Sequence, residues 1–309
     1  MGLLDDKVAI VTGSGGGIGR GIALAMAAEG AKVVVNDYGA KVDGTEQAAG
    51  PADDVVEEIK KAGGTAVANY DTVATVEGGE NIIKTAMDNF GRLDILVNCA
   101  GILRDRMFFN MTEEEWDAVI ATHLKGHFCC SKPASVIFRQ QRSGCIINFS
   151  STSGVVGNAG QANYGAAKDG IAGFTRVLAR DLGRYGITVN AIVPGAATRM
   201  TATVPAARPG RPAAAPAAAP PAAPRPAPNP PEAVAPFVVW LATDAAKDIN
   251  GYLFGVAGGT ISLYSHPEAI KRIQKMGIWT QDELRATMRT LTTDLVNPAP
   301  PAPPSPPSS

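Results

Sequence analysis

Tyr164 and Lys168, four residues apart in this 309-residue chain, are the pair best suited to move a proton. Apolar spacing predicts a long helix over Ala162–Leu182, which puts both side chains on one face. A free phenol ionises near pH ~10, too high for a base at neutral pH. A neighbouring ammonium favours the phenolate and so makes proton exchange at the phenol oxygen feasible. Ser151 stands thirteen residues before Tyr164, just past the apolar run CIINF. Its hydroxyl is placed to hold a substrate oxygen while Tyr164 exchanges the proton. Alone, a tyrosine and a lysine at this spacing also describe an ordinary surface pair; the serine and a second feature near the N-terminus make the difference.

That second feature is Thr12-Gly13-Ser14-Gly15-Gly16-Gly17-Ile18-Gly19, which follows one apolar run and opens a helix. Glycines here allow a tight turn and close backbone approach to a diphosphate, and the helix N-terminus offers it unpaired N–H groups. Strand, glycines and helix in this order form a far more specific signal than glycines alone. Gly13, Gly17, Ile18 and Gly19 are the candidate contacts. Asp37 ends the next strand, eighteen residues after Gly19. A carboxylate there accepts from adenosine ribose hydroxyls and repels a 2′-phosphate, which favours NAD over NADP. Arg20 is the one nearby cation, and packing or surface exposure explains it equally well. Asp71, at the end of the third strand, suits either an adenine amino group or a loop cap.

The rest of the chain must position these groups. Short apolar runs at Lys7–Thr12, Lys32–Asn36, Thr65–Ala68, Leu93–Val97, Cys145–Phe149, Thr188–Val193 and Tyr252–Val256 read as buried strands. Helical spacing falls between them at Ile18–Glu29, Ala52–Lys61, Gly78–Phe90 and Ala162–Leu182, and Phe237–Leu241 adds another helix. Thr112 and Glu115 resemble a capping box for a helix through Trp116 and Ile120. The alternation predicts an α/β fold: a doubly wound parallel sheet of about seven strands, with the ligand crevice at the carboxyl ends of the strands. Residues 1–264 form this domain, and 265–296 read as a helical appendix. Pro205–Pro231, almost all Ala and Pro, reads as an extended loop, and 297–309 as a disordered proline-rich tail.

Composition narrows the function classes. A net charge of −1 gives no sign of nucleic acid or an anionic membrane as partner. Cys99, Cys129, Cys130 and Cys145 have no zinc spacing and read as reduced, mostly buried thiols. There is no signal-peptide pattern at the N-terminus, no membrane-length apolar run and no S-K-L at the C-terminus, so the expectation is a cytosolic protein.

The glycine run, the turn Asn98-Cys99-Ala100-Gly101, Ser151 with Tyr164-x-x-x-Lys168, and Pro194-Gly195 together resemble the short-chain dehydrogenase/reductase family, whose fold is Rossmann-like. The resemblance covers residues 5–200 and resumes at 233–260. It implies that Asn98, Ala100 and Gly101 shape the cofactor site, that Pro194 and Gly195 lie beside nicotinamide, and that Thr198 contacts its carboxamide. Hydride transfer to nicotinamide would accompany the proton transfer at Tyr164. The strings GILRDR (Gly101–Arg106), THLKGHF and GNAGQANYGAAK are similar to the (3R)-hydroxyacyl-CoA dehydrogenase part of peroxisomal multifunctional enzyme type 2 and its bacterial single-domain relatives. That implies NAD-dependent interconversion of a (3R)-hydroxyacyl-CoA and the 3-ketoacyl-CoA, in a homodimer or homotetramer. The alternatives are a reductase of a steroid or a 3-oxoacyl-carrier-protein, and a non-catalytic dinucleotide-binding scaffold. His123 stands where many members of the family carry a catalytic Asn, and it has a structural and a catalytic reading. Pro205–Pro231 departs from the family, whose members place short helices over the substrate there.

Overall fold

The computed structural model describes residues 2–45, 50–195, 229–293 and 295. Thr198, most of the Ala/Pro segment and the proline-rich tail lie outside the described residues.

The chain alternates strand and helix: β1 (Val8–Thr12), α1 (Gly17–Ala28), β2 (Lys32–Asn36), α2 (Pro51–Lys61), β3 (Thr65–Asn69), α3 (Val76–Phe90) and β4 (Ile95–Asn98). Then come α4 (Glu113–Ile120), α5 (Gly126–Gln141), β5 (Gly144–Phe149), the one-turn α6 (Thr152–Val155), α7 (Ala162–Leu182) and β6 (Ile187–Pro194). The domain ends with α8 (Ala235–Leu241), β7 (Leu253–Ala257) and β8 (Thr260–Leu263). The sheet order is β3-β2-β1-β4-β5-β6-β7-β8. The chain winds outward from β1 to β3 and then restarts at β4 on the other side of β1. α1 and α2 lie on one face and α3, α5 and α7 on the other, which leaves a crevice at the carboxyl ends of β1 and β4.

β1 and β4 are buried throughout, and their residues alternate between two cores. Ala9 and Val11 pack with Met26, Val55 and Val238 of α1, α2 and α8. Val8 and Ile10 pack with Ile82, Phe138 and Leu182 of α3, α5 and α7. Covered on both faces, the parallel strands read as continuous apolar runs.

Two elements differ from the sequence expectation. β8 makes the sheet eight-stranded and pairs antiparallel with β7, from Phe254↔Leu263 to Ala257↔Thr260. All four of its residues are exposed, so no burial pattern marks it. Between α4 and α5 the chain passes through a π-turn, Ala121–Lys125. α5 also carries Pro133 in its interior, and together these erase the periodicity by which a helix is read. The expected capping box at α4 is present: Thr112 accepts from the Glu115 N–H and Glu115 from the Thr112 N–H.

Ser265–Ser309 separates as a second compact unit. Its α9 (Gln281–Thr292) starts at a capping box between Thr280 and Glu283 and has no buried residue. Lys275 pairs with Glu283 at 2.6 Å.

Candidate active site

A crevice of about 440 Å³ opens over the carboxyl ends of the central strands, and Gly13, Gly17, Ile18 and Gly19 line it. α1 begins there with Gly16 in extended conformation, no side-chain cap and no acidic residue in its first turn. α3 and α4, by contrast, are capped by Thr75 and Thr112. The first N–H groups of α1 therefore have no side-chain acceptor in the cap. Gly13 adopts φ +65°, and a Cβ on it would lie 2.6 Å from Ala100 Cα. Gly17 adopts φ +54°, but no atom stands within 4 Å of where its Cβ would be. Uncapped donors facing open space fit a diphosphate group.

Asp37 lines the crevice at the end of β2. Its Oδ2 accepts the Gly15 N–H and its Oδ1 the Gly39 N–H, both at 2.8 Å. It thus tethers the glycine loop to the second strand. Asp71 also lines the crevice, but its carboxylate accepts from the amides of Asn69 at 2.8 Å and Asn81 at 3.2 Å, which is the loop-capping alternative. Arg20 donates to both carboxylate oxygens of Glu58 on α2, at 2.8 and 2.6 Å. Ala100, Gly101 and Pro194 line the crevice. Asn98 turns into the core instead, donating to Ser131 Oγ and Asn148 Oδ1, each at 3.0 Å. The turn after it is fastened by Thr12, a residue given no role from the sequence, whose Oγ1 accepts the Cys99 and Ala100 N–H groups at 3.0 and 3.1 Å. Gly195 follows β6, donating to Val256 O at 2.8 Å and accepting from Asn229 at 3.1 Å.

Tyr164 and Lys168 sit on the first two turns of α7 and reach the floor of the crevice. Lys168 is only 3% exposed, with Nζ 5.5 Å from the centre of the Tyr164 ring. Ser151 caps α6, its Oγ accepting the Ser153 N–H at 3.2 Å. Burial pulls the Lys168 ammonium down to about 8. It pushes the Tyr164 phenol up to about 12, against a lowering by the Ser151 hydroxyl, with Cys99 and Asp105 adding to the rise. Among protein groups alone, desolvation therefore outweighs the neighbouring groups at the phenol.

His123 lies in the π-turn with its ring edge-on to Tyr164, centroids 5.1 Å apart. Nε2 stands 2.8 Å from Ile102 O and 3.1 Å from Ile102 N, while the buried Nδ1 has no partner among the described residues. Burial, then the charge of Lys168, holds the ring neutral, well below the usual histidine range. Gly101 is required beside it, since a Cβ there would fall 2.2 Å from His123 Cε1. His127, one turn on, was missed by sequence reasoning. Burial pushes it to about 3, so it is neutral, and Nδ1–H donates to His123 O at 2.7 Å. Nε2 then accepts the Phe149 N–H at 3.4 Å. The spacing H-x-x-x-H was its only signal in the sequence.

The geometry gives a phenol and an ammonium lining a crevice, a serine hydroxyl beside the phenol, and an uncapped glycine-rich helix start lining the same crevice. Comparisons with known proteins agree. A family profile described as short chain dehydrogenase matches residues 7–209. The chain is 42% identical over 299 residues to hydroxyacyl-CoA dehydrogenase ChsB1 of Mycobacterium tuberculosis, covering 93% of this chain and 88% of that protein. It is 45% identical over 257 residues to mouse peroxisomal multifunctional enzyme type 2, covering 83% of this chain but 32% of that much longer protein. The crystal structure of a short chain dehydrogenase from Mycobacterium avium superposes with a TM-score of 0.81 at 44% identity, covering 97% of this chain and 99% of that one. The chain belongs to the short-chain dehydrogenase family of oxidoreductases.

Proposed function

We propose that the chain interconverts a (3R)-hydroxyacyl-CoA and the corresponding 3-ketoacyl-CoA with NAD as the redox partner. The observation that carries the cofactor choice is the Asp37 carboxylate in the crevice at the end of β2, with Arg20 already committed to Glu58. A 2′-phosphate would meet a negative charge there, and Arg20 in the adjoining helix turn is held by Glu58. The substrate class rests on the similarity to a hydroxyacyl-CoA dehydrogenase.

NAD, when bound, supplies a hydride acceptor and a positive ring near the phenol. The chain's own residues handle the proton. Ser151 holds the substrate oxygen by its hydroxyl. Tyr164 takes the hydroxyl proton as the carbinol C–H bond breaks, and returns it in the reverse direction. Lys168 keeps a positive charge beside the phenol, and Phe149 O fixes its place. His123 walls the crevice next to Tyr164 and, being neutral, adds no competing charge. A homodimer or homotetramer in the cytosol, acting on a small-molecule substrate without nucleic acid or membrane, belongs to the same reading. Among the described residues no helix is long and apolar enough to cross a membrane.

The test is turnover of short, long and sterol-linked (3R)-hydroxyacyl-CoAs with NAD and NADP side by side, in wild type and Tyr164→Phe. The expected result is NAD-preferring turnover that falls roughly 10²–10⁴-fold in the variant while NAD binding persists. Equal rates in the two proteins remove the mechanism. Turnover of a carrier-protein-linked ketone with NADPH instead removes the substrate and cofactor assignment.

A further inference from the structure

The string Arg104-Asp105-Arg106 stands out in the sequence, yet no step of the proposed reaction uses it. Each of its side chains reaches a different neighbour. Arg104 Nε donates to Asp43 O at 2.8 Å, and Arg106 Nε to both carboxylate oxygens of Glu115 at 2.7 and 2.9 Å. Asp105 Oδ2 accepts from Gln161 Nε2 at 2.7 Å. Gln161 is 4% exposed, and its Oε1 accepts from Ser153 Oγ at 2.6 Å and Asn158 Nδ2 at 3.0 Å. Ser153 in turn donates its N–H to Ser151 Oγ at 3.2 Å. A chain of hydrogen-bonded residues therefore runs from the exposed Asp105 to the Ser151 hydroxyl.

We propose that Asp105 is a positioning residue which, through Gln161 and Ser153, orients the Ser151 hydroxyl for the substrate oxygen. An amide side chain can present either end; Ser153 and Asn158 donate to the Gln161 oxygen, and an acceptor at Asp105 holds the Gln161 NH₂ outward. That oxygen accepts the Ser153 hydroxyl proton and holds the one-turn helix α6 in place. The Ser153 N–H then occupies one lone pair of Ser151 Oγ, so the Ser151 proton is directed away from Ser153. The proposal rests on the reaction above only in assigning Ser151 to the substrate oxygen.

A double-mutant cycle tests it. Asp105→Ala is expected to lower kcat about ten-fold in the Ser151 background and less than about two-fold in the Ser151→Ala background, because residues that act through one another are not additive. Asp105→Asn, which retains an acceptor, is expected to restore most of the rate. Equal losses in both backgrounds, or no rescue by Asn, overturn the proposal. Hydrogen exchange at the Ser153 amide gives a readout that needs no substrate: it should quicken about ten-fold in Asp105→Ala and not in Asp105→Asn. Unchanged exchange overturns the relay even if hydroxyacyl-CoA turnover is normal. Quickened exchange without any such turnover supports the relay and removes the substrate assignment alone. Gln161→Met cuts the same chain from the other side and must reproduce both effects if Asp105→Ala does not fold.

Discussion

The ammonium of Lys168 donates to the carbonyl oxygen of Phe149, the last residue of β5, at 2.6 Å. Phe149 also gives its N–H to His127, which holds the carbonyl of His123, so one peptide position joins the lysine to the π-turn. The lysine is held by a neutral acceptor rather than by a carboxylate, and so keeps the cost of burying its charge.

That cost sets a pH dependence of stability. The Lys168 value falls from 10.5 to about 8 on folding. Below pH ~8 the penalty is present in full; from about pH 8 to 10.5 the unfolded chain holds the proton that the folded chain has released, so the penalty is relieved as pH rises. Such a fall corresponds to about 3 kcal/mol. In denaturant unfolding, the stability of wild type relative to Lys168→Met should improve by that order between pH 7.5 and 10.5. A difference independent of pH contradicts the buried ammonium.

Two glycines of the loop should respond differently to alanine. Gly13 has φ +65° and no room, with Ala100 Cα 2.6 Å from the added carbon. Gly13→Ala should cost about 3 kcal/mol or more of stability, through strain and a backbone clash. Gly17 has φ +54° but open space. Gly17→Ala should cost only about 1–2 kcal/mol of stability, while NAD affinity by calorimetry should fall ten-fold or more. Equal stability losses would contradict this contrast.

Cofactor choice should follow the charge of Asp37. Asp37→Asn keeps an acceptor for the Gly15 or Gly39 N–H and removes the repulsion of a 2′-phosphate. The NAD-over-NADP ratio of kcat/KM should fall about ten-fold or more, equivalent to at least about 1.4 kcal/mol. An unchanged ratio places the discrimination elsewhere.

Apolar residues remain outward on two helices: Phe128 at 42% and Val136 at 48% exposure on α5, and Val177 at 56% on α7. These faces suit contact with a second copy. Light scattering should show a dimer or tetramer, and Val136→Glu with Val177→Glu should shift it to monomer. A monomeric wild type contradicts the assembly.

Much of this molecule was legible in residue order. The strand and helix alternation, the glycine loop, the i,i+4 tyrosine and lysine, and the Thr112 capping box all depend on neighbours within a few positions. Local sterics and periodic burial act at that range, so spacing alone carries them. α5 was hidden because a π-turn and Pro133 break its period, and β8 because an exposed edge strand needs no apolar pattern.

Residue order by itself determined which groups are available: a phenol and an ammonium on one helix face, a serine past a strand end, glycines before a helix, and an aspartate at the second strand. Only the tertiary structure decided how each is held. Asp105 meets Gln161 across 56 residues and Lys168 meets Phe149 across 19, while Asn98 turns to Asn148 across 50 and away from the crevice. The physical reason is desolvation. Once packed, a polar group near the crevice is costly to leave unpaired, and which partner lies in reach depends on sheet order and not on distance along the chain.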